Sequence, residues 1–268
     1  MWSWEQAFKR VFGGNLGFRQ PTNDRNWSPD LRVLPEILFD EEGTITLRHI
    51  RNFTYRSVTD YTPAYYDRTF RLEDVESVWF MVEPFSLVAA HTLLSFGLRD
   101  GTYIALSVEI RKTVGQTFSQ LMVLFFLRRH ELIYVIGDER DLIRLRTNYR
   151  RDKVYLYPVQ ASSEKVQELF MDMLKRAQHL QTHPEFYNPF TNTCLTNIVS
   201  HANTVAPKRI PLSYKILLAT LSDELAYAVG LLDRSLPFRE LKRKHFINER
   251  ALRYGEDPDF SKKIRSEV

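Results

Sequence analysis

The chain contains one cysteine, Cys194, and seven histidines. A thiol attacks a carbonyl once its proton is taken, and an imidazole oriented by a carboxylate is a base able to take it. Cys194, His91 and Glu109 are the residues whose surroundings permit that division of labour: nucleophile, base and orienting carboxylate, acting on an acyl or amide bond. By itself a lone cysteine reads as a small buried hydrophobe, so the case rests on the elements that would bring the three together. One cysteine also excludes an intramolecular disulfide.

The first such element is AHTLLSFGLRDGTYIALSVEIRK, residues 90–112, which reads as two strands joined at Arg99-Asp100-Gly101. Gly101 suits the left-handed position of a three-residue loop with a bulge. That loop pairs Leu98 with Thr102, and counting outward sets His91 opposite Glu109, where a carboxylate can fix the imidazole tautomer. A two-residue turn would instead set Ile110 opposite His91 and send Glu109 to the other face. A structural histidine beside a surface glutamate is the other reading of the pair.

The second element is PEFYNPFTNTCLTNIVSHAN, residues 184–203. Asn192 or Thr193 suits the cap of a helix whose apolar face is Leu195, Ile198, Val199 and Ala202. Cys194 then falls in the first turn. Free backbone N–H groups and the helix dipole favour a thiolate there and can also receive an oxyanion.

Around these elements the pattern is α+β. Residues 1–40 read as irregular, with a short amphipathic helix over 4–12. Strands are expected over 44–50, 77–82, 92–98, 102–110, 120–127, 131–136 and 154–157, where β-branched and aromatic residues collect. The period then becomes helical over 163–180, from Cys194, over 214–232 and over 238–246. Hairpin-sized gaps followed by helices indicate an antiparallel sheet packed against helices, with residues 41–268 as one α+β catalytic domain.

The strings IRNFTYRS, DYTPAYYDRTFRLEDVESVWFMVEPF, AHTLLSFGLRDGTYIALSVEIRK, ELIYVIGDERDLIRLRTNYRRDKVYLYP and PEFYNPFTNTCLTNI resemble a bacterial family of long-uncharacterised proteins. That family includes the N-terminal periplasmic domain of Lnb-type lipoprotein N-acyltransferases. It is related to permuted papain-like thiol enzymes, in which the histidine strand precedes the cysteine helix. In those relatives an Asn-Cys pair opens the helix, whereas Asn192-Thr193-Cys194 displaces the asparagine by one here. The resemblance implies thiol acyl transfer with Cys194 as nucleophile, His91 as base and Glu109 as orienting group. It implies a phospholipid acyl donor, a lipoprotein amine as acceptor, and a periplasmic or otherwise extracytoplasmic setting. The apolar stretch 216–232 and the N-terminal amphipathic segment suit peripheral membrane contact, and core packing explains both as well. No signal peptide is visible in residues 1–14, MWSWEQAFKRVFGG.

Arg111, Asn197 and Tyr55 are candidate substrate-binding groups. Arg111 could hold a carboxylate or phosphate, or form a plain ion pair. Asn197 sits one turn into the cysteine helix, and Tyr55 belongs to a polar-aromatic loop with Arg56, Asp60 and Tyr61, which a structural Tyr–Asp network would also explain. The histidines lack zinc-ligand spacing and no phosphate-binding glycine loop is present, so neither metal nor cofactor is expected. Arg140, Arg144, Arg146, Arg150 and Arg151 read as a solvated face with ion pairs to Glu139, Asp141 and Asp152, or as attraction to anionic lipid. With a net charge of only +4 and no nucleic-acid motif, nucleic acid is not an expected partner. Two readings compete with acyl transfer: a non-catalytic extracytoplasmic binding module, and a cell-wall peptide amidase using the same thiol chemistry.

Overall fold

The computed structural model describes residues 20–41, 43–116 and 130–266. The expected helix over 4–12 and strand over 120–127 lie outside them. The strands are β1 (Glu36–Phe39), β2 (Thr44–Arg51), β3 (Thr54–Tyr55), β4 (Tyr61–Thr62), β5 (Tyr65–Arg71), β6 (Val75–Pro84), β7 (Ala90–Leu98), β8 (Tyr103–Arg111), β9 (Glu131–Asp138) and β10 (Tyr155–Pro158). The α-helices are α1 (Glu139–Arg144), α2 (Ser163–Thr182), α3 (Cys194–Val205), α4 (Tyr214–Leu217), α5 (Ser222–Ala228), α6 (Phe238–Lys244), α7 (Asn248–Arg253) and α8 (Phe260–Lys263). A π-helical turn, Leu145–Arg150, continues α1.

The main sheet runs β1-β2-β9-β8-β7-β6-β10, with β5 also paired to β2; β3 and β4 form a separate ribbon. Its ladders are antiparallel except where Arg51 of β2 meets Gly137 of β9 in parallel, a long-range pairing that the expected all-antiparallel sheet lacked. The sheet is covered on both faces, which is why β7, β8 and β9 are nearly continuous apolar runs rather than alternating ones. One face carries Phe80, Leu94, Phe96, Leu106 and Tyr134 against Phe170 and Met173 of α2 and Leu195 and Ile198 of α3. The other carries Met81, Leu93, Ala105 and Ile133 against Leu142, Ile143, Ile247, Ala251, Phe260 and Ile264.

The β7–β8 hairpin closes as the three-residue loop requires: Leu98 N–H donates to Thr102 O at 2.9 Å, and Gly101 takes φ +81°, a conformation that glycine enters at little cost. The strand pairs that follow run from Gly97–Tyr103 to Leu93–Ser107 and stop there. Beyond that point β7 remains paired to β6 as far as Ala90, and β8 remains paired to β9 as far as Arg111. The two strands therefore part, leaving a fork in the sheet flanked by His91 and Glu109.

Other expectations need correcting. Residues 1–40 are not wholly irregular, because β1 adds to β2 at Glu36–Phe39. The helix expected over 214–232 is broken into α4, a 3-10 turn (Ala219–Leu221) and α5. Leu218 leaves the helical region at φ −96°, ψ 76°, and α5 is anchored afresh where Asp223 accepts from Tyr157 Oη at 3.0 Å and pairs with Lys242 at 2.7 Å. The arginine cluster is a solvated face only in part: Arg150 and Arg151 are exposed, whereas Arg144 and Arg146 are buried, Glu139 pairs with Arg265, and Asp141 pairs with Arg51. Phe170, fully buried against Phe96 and Phe70, ties α2 to the sheet. Phe170→Ala should cost about 3–5 kcal/mol in urea unfolding, from lost burial and the cavity left behind.

Candidate active site

Cys194 enters the site because Thr193 caps α3. Its Oγ1 accepts from Thr196 N at 3.1 Å, while Thr196 Oγ1 accepts from Thr193 N at 2.7 Å, a reciprocal capping pair. The cap leaves the first backbone N–H groups of the helix free of intrahelical partners. A polar network behind the cap holds it in place. Asn197 Nδ2 donates to Thr193 O and to Asn192 Oδ1, both at 2.8 Å. Asn197 Oδ1 accepts from Tyr134 Oη at 3.2 Å, whose oxygen also meets His201 Nε2 at 2.6 Å; His201 Nδ1 in turn pairs with Asp172 at 2.7 Å.

The fork between β7 and β8 opens into a pocket of about 370 Å³ whose lining includes Cys194, His91, Glu109, Glu83, Arg146 and Tyr187. Odd-numbered His91, Glu109 and Glu83 come from the sheet face that carries Leu93, whereas Cys194 packs with Leu94 and Leu195 on the opposite face. Residues from both faces reach one pocket because the ladder is open there.

The expected register is present, with one intermediary. His91 Nε2 lies 4.0 Å from Glu109 Oε1, and the Ser107 hydroxyl spans the gap, 2.8 Å from Nε2 and 2.9 Å from Oε1. Glu109 also accepts from Arg146 Nη2 at 3.1 Å, and Arg146 Nε reaches Glu83 Oε2 at 2.8 Å. Burial alone would raise the Glu109 pKa, but the charge of Arg146, with smaller contributions from Arg51 and Arg150, outweighs it and holds the carboxyl well below its usual range. An ionised Glu109 can only accept, so the single Ser107 proton goes to it, and Ser107 Oγ must accept from Nε2–H of His91. In the neutral ring Nδ1 is then the basic nitrogen. The ring is neutral: burial, followed by the repulsion of Arg146, lowers its pKa to about 3.

Cys194 is 8% exposed. Burial is the largest influence on its thiol and raises the pKa; hydrogen bonding to Thr92, through side chain and backbone, and to the Leu195 N–H pulls in the other direction without cancelling it. The thiolate expected from the helix start is therefore not the resting form, and the pair is a neutral thiol with a neutral imidazole. Thr92 Oγ1 is buried without a hydrogen bond of full geometry, so its pull on the sulfur is the weaker side of this balance.

Glu83, Ser107 and Thr92 are not among the residues that the sequence singles out, and Arg146 is expected there only as part of a solvated or lipid-facing arginine cluster. Glu83 is aligned with His91 on β6, and burial raises its carboxyl to about 7 against the pull of Arg146 and Arg150. The one sequence signal for it is a glutamate directly after the apolar run Val78–Val82 of β6. The three expected substrate-binding residues lie outside the pocket lining. Arg111 is buried, donating to Leu31 O, Arg32 O and Asn23 Oδ1 and stacked over Trp27. Asn197 is buried in the network behind the α3 cap. Tyr55 is buried with Phe53 and Leu145, its hydroxyl donating to Asp141 at 3.0 Å.

Two outcomes follow from these contacts. Alkylation of Cys194 by iodoacetamide in the resting protein should titrate above the ~8.5 of a free thiol, and Thr92→Val should move the midpoint further up. Arg146→Met should destabilise by about 3–5 kcal/mol at pH 8, because two carboxylates lose their buried counter-charge. Against the upward push of burial, Arg146 holds the Glu83 carboxyl down to about 7. Without it the proton enters at a higher pH, so that deficit should shrink as the pH falls toward 7, a trend read from denaturation midpoints across pH.

Among the described residues no helix is long and apolar enough to cross a membrane. No curated protein and no solved structure matches the chain. The family of the Lnb N-terminal periplasmic domain matches residues 61–220, a span that holds His91, Ser107, Glu109, Arg146 and Cys194. The chain belongs to the Lnb N-terminal periplasmic domain family, and its setting is extracytoplasmic.

Proposed function

We propose that the fork pocket is a thiol acyl-transfer site, arranged as in permuted papain-like enzymes with the histidine strand ahead of the cysteine helix. The carrying observation is the relay from His91 Nε2 through Ser107 to an ionised Glu109, which leaves Nδ1 as a base in the pocket that Cys194 also lines. A structural histidine has no need of a carboxylate held ionised by a buried arginine.

The reaction best suited to the family context is transfer from a phospholipid ester to the N-terminal amine of a lipoprotein. Cys194 Sγ attacks the ester carbonyl, a C–S bond forms, and the thiol proton passes to His91 Nδ1. The N–H groups at the start of α3 receive the oxyanion. The ester C–O bond then breaks, and the lysophospholipid leaves with the proton from His91. The amine attacks the thioester, a C–N bond forms, the C–S bond breaks, and His91 returns the amine proton to sulfur. Lys112 and Arg150 stand at the pocket with partial exposure and suit a phosphate headgroup. Phe85 lines the pocket, and Leu87 and Val88 beside it are exposed at 94% and 54%, an apolar loop suited to peripheral membrane contact.

The neutral, buried thiol favours one alternative, a binding module of the same fold without turnover. Lysophospholipid release from phosphatidylethanolamine vesicles carrying a diacylated lipopeptide decides between them. Acyl transfer predicts release that falls by about 10²–10⁴-fold in His91→Ala and vanishes in Cys194→Ala. Ser107→Ala should fall by a smaller factor while Cys194 remains alkylable. Because His91 stays neutral down to about pH 3, the acid limb should lie well below the ~6.5 of an ordinary histidine. No release from the folded wild type, or release indifferent to Cys194, would leave the binding module.

A further inference from the structure

We propose that the apolar cavity beside Cys194 is the binding site of a single fatty acyl chain, the tail of the acyl donor; only the identity of that donor rests on the acyl-transfer reading above. The cavity holds about 320 Å³, within the range of small-molecule pockets and far more than a packed core normally leaves empty. It lies between the sheet and α2, α3 and α5, walled by residues that include Phe80, Leu94, Leu195, Ile198, Ala202 and Ala226. Such a wall offers water too few partners to be a comfortable site, whereas an alkyl chain asks for none.

Its position relative to the sulfur is set by the two elements that bear both. On β7, Leu94 follows Thr92 on the same sheet face, about 7 Å further along the strand at ~3.3 Å per residue, and Thr92 is the residue that acts on the Cys194 sulfur. On α3, Leu195 lines the cavity and Cys194 precedes it. A carbonyl at the thiol therefore has the cavity as the neighbouring apolar volume for its tail. Ser222 also lines the cavity, and its Oγ is buried without a hydrogen-bond partner, so the wall has one hydroxyl to offer an oxygen of the guest.

The test is direct binding of saturated fatty acids from decanoate to palmitate to the full chain carrying Cys194→Ala, so that no turnover intervenes, by displacement of a fluorescent fatty acid. Affinity should rise by about fourfold per methylene and then level off once the cavity is full. Ala226→Phe and Ala202→Trp, which fill the space, should each weaken palmitate binding at least tenfold while wild-type Cys194 in the same backgrounds keeps its iodoacetamide reactivity. Binding without chain-length dependence, or unchanged in folded filling variants, overturns the assignment. Should both variants fail to fold, photo-crosslinking with a diazirine fatty acid decides it. Adducts within residues 78–80, 94, 159–169, 194–210 or 222–232, which wall the cavity, support it, and adducts confined elsewhere overturn it. Chain binding without acylation of wild-type Cys194 would remove the acyl-transfer reading and keep the cavity. Acylation of wild-type Cys194 without chain binding would do the reverse.

Discussion

The guanidinium of Arg146, buried between Glu83 on β6 and Glu109 on β8, is the interaction on which the site depends. It keeps Glu109 ionised although Glu109 is largely buried. An ionised Glu109 consumes the only proton of Ser107, which turns Ser107 into an acceptor and places the His91 proton on Nε2. Burial keeps the His91 ring neutral, and the same positive charge adds to this by repelling a proton. One cation thus sets the charge state of the carboxylate and, through Ser107, the tautomer of the imidazole, and it reinforces the neutrality that burial imposes on the ring. Its cost is the desolvation of a charged cluster, and burying such a cluster is seldom the cheapest way to fill a core.

Architecture makes that cluster reachable from the opposite layer. The sheet is a wall between two apolar packings, and a thiol on α3 would ordinarily be shielded from an imidazole on the far face. The early end of the β7–β8 ladder removes the shield over a few residues only. The rest of β7 and β8 stays bound to β6 and β9, so the opening is held between continuous strands. Rigid walls of this kind fix donor and acceptor positions before any substrate arrives, which is what electrostatic catalysis requires. The buried thiol is held neutral, so in the proposed acyl transfer it would ionise on attack in place of a stored ion pair.

Local features of this arrangement were legible in the sequence, and non-local ones were not. Arg99-Asp100-Gly101 determined the turn type and hence that His91 faces Glu109, and the Thr193 cap placed Cys194 at the first turn of α3. The relay serine was overlooked because a small polar residue inside an apolar strand carries no sign of what it faces. Arg146 was read with its charged neighbours as a solvated surface, yet its partners are 37 and 63 residues away, beyond what any local pattern encodes. Arg111, Asn197 and Tyr55 were judged by residue type and nearness to the key positions, and each proved to be satisfied by buried structural contacts. The helix expected over 214–232 had the right apolar period, but the tertiary hold on Asp223 restarts it as α5.

The most direct test of a nucleophilic Cys194 is intact-protein mass spectrometry after incubation with phosphatidylcholine of defined acyl composition, without an amine acceptor. The account predicts a mass gain equal to one acyl group, confined to the peptide bearing Cys194, removed by neutral hydroxylamine, and greatly slowed in His91→Ala. A wild-type protein that stays folded and unmodified in the presence of the donor, or an adduct that persists in Cys194→Ala, would contradict it.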